Sequence, residues 1–301
     1  IVSMTSFIPA GQLNFIYTVE ENESSSALDY FSNSSFNLNG AVLTDLAGNI
    51  MTDTSLANPG ASNSLSFNSS LTIDGIKPTF SNYQIQSSNA SSVLAIPNDT
   101  VTLTFDVSEL ASSTFDANSV EFALHDGAGS SLSSYVNADS ISLIGTNTIQ
   151  AVFQYTETNT AYNNHLVNWR INSIYDLAGN VSAVTSKTAN VDGLKVTYDN
   201  EVPTLILVNT RSDISSSDQS KANDGNTIEL EITASEDIAM VASDITILGS
   251  VVPILAINGS GQINWSAQSR AVVPSDPSGV VTFSIDFSDL AGNVGTQVVT
   301  T

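Results

Sequence analysis

The chain contains no cysteine. That absence excludes disulfide staples, thiol nucleophiles, zinc fingers and iron–sulfur clusters. Positive charge is nearly as scarce: seven Lys plus Arg stand against thirty Asp plus Glu, a formal net charge of −23. No basic patch can be assembled from so few cations, so neither nucleic acid nor an anionic lipid surface is an expected partner. Only two histidines occur, His125 and His165, and neither neighbours a nucleophile signature. Gly-x-Ser-x-Gly, His-Glu-x-x-His and phosphate-binding glycine loops are all missing, and no catalytic residue is expected. No apolar run approaches the roughly eighteen residues that a membrane span requires. The first residues, IVSMTSFIPAGQL, lack the basic start and apolar centre of a signal peptide and read as the middle of a strand within a longer protein.

What the chain does have is repetition. Asp-Leu-Ala-Gly-Asn occurs three times, at 45–49, 176–180 and 289–293. Pro78-Thr79 and Pro203-Thr204 each follow an acidic stretch, Asp74-Gly75-Ile76-Lys77 and Asp199-Asn200-Glu201-Val202. An alternating strand then appears twice: Val101, Leu103, Phe105 and Val107 match Ile228, Leu230, Ile232 and Ala234. Both copies end in Ser-Glu, at Ser108-Glu109 and Ser235-Glu236. A period of two means that one face is buried and the other wet. Gly11–Phe15 resembles Gly261–Trp265, and Ile149, Ala151 and Phe153 fill the same role in the middle.

The repeats divide the chain into three units, 1–75, 76–199 and 200–301. The first lacks both the Pro-Thr start and the Ser-Glu strand, so it reads as the C-terminal half of a domain whose remaining strands lie upstream. The second carries a turn-rich insertion between Phe115 and Ile141. Between Trp169 and the second pentapeptide the inward phase slips by one residue relative to the third unit, and a β-bulge near Ser173 would absorb the slip. Ala27–Phe31 could form one helical turn. Hydrophobic residues make up 41% of the chain, enough for each unit to bury a core. Units of about 100 residues with about seven short strands fit an all-β fold of tandem immunoglobulin-like Greek-key β-sandwiches, with Trp169 and Trp265 as core aromatics.

The order of acidic linker, Pro-Thr, alternating strand, Ser-Glu and finally Asp-Leu-Ala-Gly-Asn resembles the bacterial Ig-like tandem repeats of large prokaryotic surface proteins, adhesin stalks and S-layer proteins among them. The resemblance implies an extracellular, cell-surface, non-enzymatic protein. Its partners would be the neighbouring domains of the same chain and other copies in a lattice or filament. A carbohydrate- or protein-binding module of an adhesin or secreted hydrolase is the alternative, with Tyr135 and Tyr162 as the aromatic candidates.

On a seven-strand sandwich the linker, the end of the second strand and the turn before the last strand share one pole. Asp74, Glu109 and Asp176 should therefore meet at one domain junction, and Asp199, Glu201, Glu236 and Asp289 at the other. Like charges so close repel by about a few kcal/mol at intermediate dielectric. A hard divalent cation relieves this, and calcium, with six to eight oxygen ligands and tolerant geometry, is the expected occupant. Two plainer roles stand beside that expectation. The pentapeptide is a good hairpin turn without any metal, and a Ser-Glu strand end can be an ordinary solvated edge.

Overall fold

The computed structural model describes residues 2–8, 11–109, 111–125, 134–156, 158–187, 195–214, 218–252, 254–256 and 262–300. Among them the chain is all-β, with helix confined to the turn Leu65–Asn68 and two 3-10 turns. No helix of the described residues is long and apolar enough to cross a membrane.

Alternation sets the strands. Thr100–Val107 alternates partly exposed and buried residues along its whole length, and Val101, Leu103 and Phe105 are fully buried. It forms the interior of a four-stranded antiparallel sheet ordered Ser140–Leu143, Thr148–Gln154, Thr100–Val107, Phe80–Ser87. A second sheet runs Leu94–Ala95, Thr197–Tyr198, His165–Ile171, Val120–His125, Val136–Asn137, with Thr185–Lys187 also on His165–Ile171. Aromatic rings join the two sheets face to face. Tyr83 stacks on Trp169 at 4.9 Å, and Phe122 on Phe153 at 5.6 Å.

The last hundred residues repeat the plan. One sheet runs Leu205–Ser212, Ile228–Ala239, Gln262–Gln268, Ile254–Ala256, and the other Ser250–Val251, Ile245–Ile247, Phe283–Ile285, Val298–Val299. Ile228, Leu230 and Trp265 of the first share one buried cluster with Ile245, Ile247 and Ile285 of the second. Trp169 and Trp265 are both core residues, 1% and 4% exposed.

Residues 11–72 differ. They hold Gln12–Phe15, paired with Met4–Ile8, and Ser24–Ser25, paired with Ile73–Asp74. Between 11 and 72 the one buried residue is Ser64, which caps the Leu65–Asn68 turn by accepting from the Phe67 N–H. The helical turn expected at Ala27–Phe31 is absent. Asp29 explains why: its carboxylate takes the Tyr30 N–H, the Gly60 N–H and the Ser66 hydroxyl, which hold that segment open.

The chain divides into two compact units. One comprises residues 1–80, 107–115 and 173–184; the other comprises 81–106, 116–172 and 185–301. The strand His165–Ile171 ends one residue out of step with its counterpart. Ile171 and Ile174 are buried before Asp176, whereas Ile285 and Phe287 are buried before Asp289. The extra residue sits at 172–173. Of the expected insertion, residues 126–133 lie outside the described residues, and its later part forms Val136–Asn137 and the start of Ser140–Leu143.

Candidate metal centres

The Pro-Thr and Ser-Glu motifs lock each other. The Thr79 N–H donates to Ser108 Oγ (3.0 Å) and the Ser108 N–H to the Thr79 carbonyl (2.9 Å). Thr204 and Ser235 repeat the exchange at 3.0 and 2.8 Å. The serine hydroxyl stands in for a ladder carbonyl, so the first and second strands are clamped where the linker enters, and the next residue, Glu109 or Glu236, is held at that end. Beyond the glutamate the chain pairs with the pentapeptide: Ala111 bridges Asp176, and Ile238 and Ala239 pair with Asp289 and Ser288.

The pentapeptide is a self-contained turn. In each copy the aspartate N–H donates to the asparagine carbonyl, at 3.0, 3.1 and 3.0 Å. Its Oδ1 accepts the asparagine N–H (2.9 Å each) and its Oδ2 accepts the asparagine amide, at 2.9, 2.8 and 2.8 Å. Gly48, Gly179 and Gly292 have φ of 89°, 95° and 99°, a conformation that glycine adopts without a Cβ penalty. In the second and third copies the asparagine does one thing more. Asn180 Nδ2 donates to the Asp74 carbonyl (3.0 Å) and Asn293 Nδ2 to the Asp199 carbonyl (3.2 Å), tying the linker to the turn.

Three segments distant in sequence therefore deliver carboxylates to one place, twice. Asp74, Glu109 and Asp176 present oxygens that all lie within 4.8 Å of one another, as do Asp199, Glu236 and Asp289. Asp176 and Asp289 are 4% and 3% exposed. At an effective dielectric of about 20, each pair of charges at such a separation costs about 3 kcal/mol. The glutamates register the strain. Burial, then Asp199, Asp289, Glu201 and Asp237, push Glu236 up to about 7. Burial, then Asp74 and Asp176, raise Glu109, and burial followed by Asp289 raises Asp199. Glu109 Oε1 is buried without a hydrogen-bond partner. No ion pair among the described residues involves any of the six. A divalent cation with oxygen ligands suits such a donor set. The aspartates also accept backbone N–H bonds, Asp74 from Ile76, Asp176 from Ala178 and Asn180, Asp199 from Glu201, and Asp289 from Gly292 and Asn293.

Glu201 is not among these six. It is exposed, and its Oε2 accepts from Asn163 Nδ2 at 2.7 Å. It acts on Glu236 as a nearby charge rather than as a member of the cluster. Asp45 makes the same internal turn but is exposed, and the bond from Asn49 holds its carboxyl below the usual range.

Residues that spacing alone did not single out also shape the sites. Gly75 is one: a Cβ there would stand 2.4 Å from the Glu20 carbonyl oxygen, and its N–H donates to the Glu23 carbonyl (2.7 Å). Asn200, at the matching position of the other linker, is 7% exposed and donates to the Asn159 carbonyl (2.9 Å). The only advance signal was the contrast of Asp-Gly with Asp-Asn. Of the aromatic candidates, Tyr135 lies 4.3 Å from the Arg170 guanidinium, and Tyr162 ends a 3-10 turn capped by Asn159.

No family model and no curated protein matches the chain. Among solved structures, a marsupial T cell receptor is similar over 73% of this chain and 100% of its own, at 8% identity and a TM-score of 0.21. A likeness at that level identifies neither a family nor a function.

Proposed function

We propose that the chain is a segment of tandem immunoglobulin-like Greek-key sandwiches, with repeats at 1–75, 76–199 and 200–301, whose junctions are stiffened by calcium. One ion is held by Asp74, Glu109 and Asp176 and a second by Asp199, Glu236 and Asp289. The observation that carries this reading is the double convergence itself: two copies of the same three-segment carboxylate group, with Asp176 and Asp289 almost wholly buried. Such a device is useful where calcium is plentiful, outside the cell. The strongly acidic, cysteine-free composition suits a surface protein of the bacterial Ig-like repeat type, built as a stalk or as a surface-layer lattice. In that role the chain performs no catalysis. Its partners are the adjacent repeats and, in a lattice, other copies.

Calcium titrated into chelator-treated protein should raise the melting temperature and increase the solution length measured by small-angle scattering. If neither quantity moves, the reading fails. An extended monomer in calcium supports the stalk, and ordered sheets formed on calcium addition support the lattice.

A further inference from the structure

Two loops of the second repeat carry side chains across to the third repeat and its linker. One is the bend after Phe80–Ser87. There Ser87 Oγ accepts the Asn89 N–H (3.1 Å) and Asn89 Oδ1 accepts the Ser91 N–H (3.0 Å), which fixes the amide. Asn89 Nδ2 then donates to Asp99 Oδ2 (2.8 Å), within its own repeat, and to the Ala291 carbonyl (2.8 Å), in the pentapeptide turn of the next. Ala291 is 3% exposed, so little water competes for that bond. The other loop is 159–163. Asn163 Oδ1 accepts the Asn200 N–H (3.3 Å), and Asn163 Nδ2 donates to Glu201 Oε2 (2.7 Å). Asn200 Nδ2 donates in turn to the Asn159 carbonyl (2.9 Å). The loop is itself braced: the Asn163 N–H donates to the Thr160 carbonyl (3.1 Å), and Asn159 Oδ1 accepts the Ala161 N–H (3.0 Å). The linker is thereby seated on the second repeat, while Asn293 ties its Asp199 carbonyl to the third.

The other linker is seated by different chemistry. Gly75 stands where Asn200 does, and two main-chain bonds hold it: the Asn22 N–H donates to the Gly75 carbonyl (2.8 Å) and the Gly75 N–H to the Glu23 carbonyl (2.7 Å). The Glu20 carbonyl leaves no room for a side chain at 75, whereas a glycine at 200 would forfeit the amide bond to Asn159. Each linker is thus cut to fit the loop that it meets. We infer that Asn89, Asn163 and Asn200 form a lock that sets the orientation of the third repeat on the second before any cation binds, with Asn200 the residue that matches this linker to the repeat preceding it. None of the bonds across this junction uses a carboxylate of Asp199, Glu236 or Asp289, so a chelator leaves all of them in place. The inference takes its repeat boundary from the reading above and needs no ion. Calcium would stiffen an orientation already chosen.

The test measures one distance across this junction in the whole chain. The sequence has no cysteine, so Ser142→Cys and Asn209→Cys, both at exposed strand positions, take one spin label each and nothing else reacts. Pulsed electron resonance in chelator should give a single dominant distance, and calcium should leave its maximum in place. Asn89→Ala, Asn163→Ala and Asn200→Gly should each raise the population outside that maximum about fivefold in chelator, the effect of about one net hydrogen bond. The three substitutions lie in separate segments, so a folding defect in one leaves the other two to decide. A broad spread in chelator that collapses to one distance only with calcium overturns the inference, as does a distribution indifferent to all three substitutions. The cation reading fails separately: a melting temperature and solution length that ignore calcium, beside a single distance in chelator, would remove the ion and leave the lock.

Discussion

Glu236→Gln should reverse the sign of its effect when calcium is added. In chelated protein the folded state holds the Glu236 proton up to a pH of about 7, against an ordinary value of 4.5. The sign follows from linkage. Between those two values the unfolded chain has lost the proton and the folded chain has kept it, so stability falls as pH rises through the window. The full displacement would correspond to about 3 kcal/mol. Solvent screening of a carboxylate that is only partly buried reduces this to about 1–2 kcal/mol. Glutamine cannot ionise. The variant should therefore be more stable than the parent by about 1–2 kcal/mol at pH 8 in chelator, or roughly 4–8 °C of melting temperature per kcal/mol for a unit of about 100 residues. At pH 4.5 the difference should vanish. With calcium present the order inverts, because the amide removes a charged ligand and a tenfold loss of affinity corresponds to about 1.4 kcal/mol. Melting curves by circular dichroism at both pH values, with and without calcium, give all four comparisons. A variant that is neutral or less stable in chelator at pH 8 would refute the crowding of Asp199, Glu236 and Asp289.

Asn293→Ala should cost about 1 kcal/mol more than Asn49→Ala in urea denaturation, because only Asn293 also binds a linker carbonyl. Gly75→Ala should lower calcium affinity at the first centre and leave the second intact, read by two-site calorimetry, since its Cβ would collide with the Glu20 carbonyl oxygen. Gly295→Ala, whose Cβ would meet the Phe287 ring at 2.2 Å, should destabilise the last repeat by about 1–3 kcal/mol of overpacking. Ser235→Ala should cost about 1 kcal/mol by leaving the Thr204 N–H without its acceptor, measured by the same denaturation. Glu201→Gln should lower the apparent pKa of Glu236 while calcium binding stoichiometry stays unchanged, read by carboxyl NMR titration and calorimetry.

Much of this architecture was readable because each repeat carries its own register. Val101, Leu103, Phe105 and Val107 were assigned inward by period alone and are all buried. The six clustered acids could be placed because strand ends and turns have few choices of pole. Glu201 shows where such reasoning stops. Spacing puts its backbone beside Asp199, but the side chain turns to Asn163, thirty-eight residues earlier, and no local pattern encodes that choice. Phe15 shows a second limit. Its segment resembles that of Trp265, yet burial comes from the neighbouring strand rather than from the segment, so similar sequence gives unequal exposure. The helical turn expected near Asp29 failed because three donors, two of them from distant parts of the chain, override local propensity.

The Thr–Ser clamp contains no charged group, so neither salt nor a chelator loosens it. Thr79–Ser108 and Thr204–Ser235 would hold their glutamates in position with or without an ion. Cation uptake would then begin from a cradle already set, with little chain ordering left to do. If the proposed ion is withdrawn, each junction should therefore slacken rather than come apart.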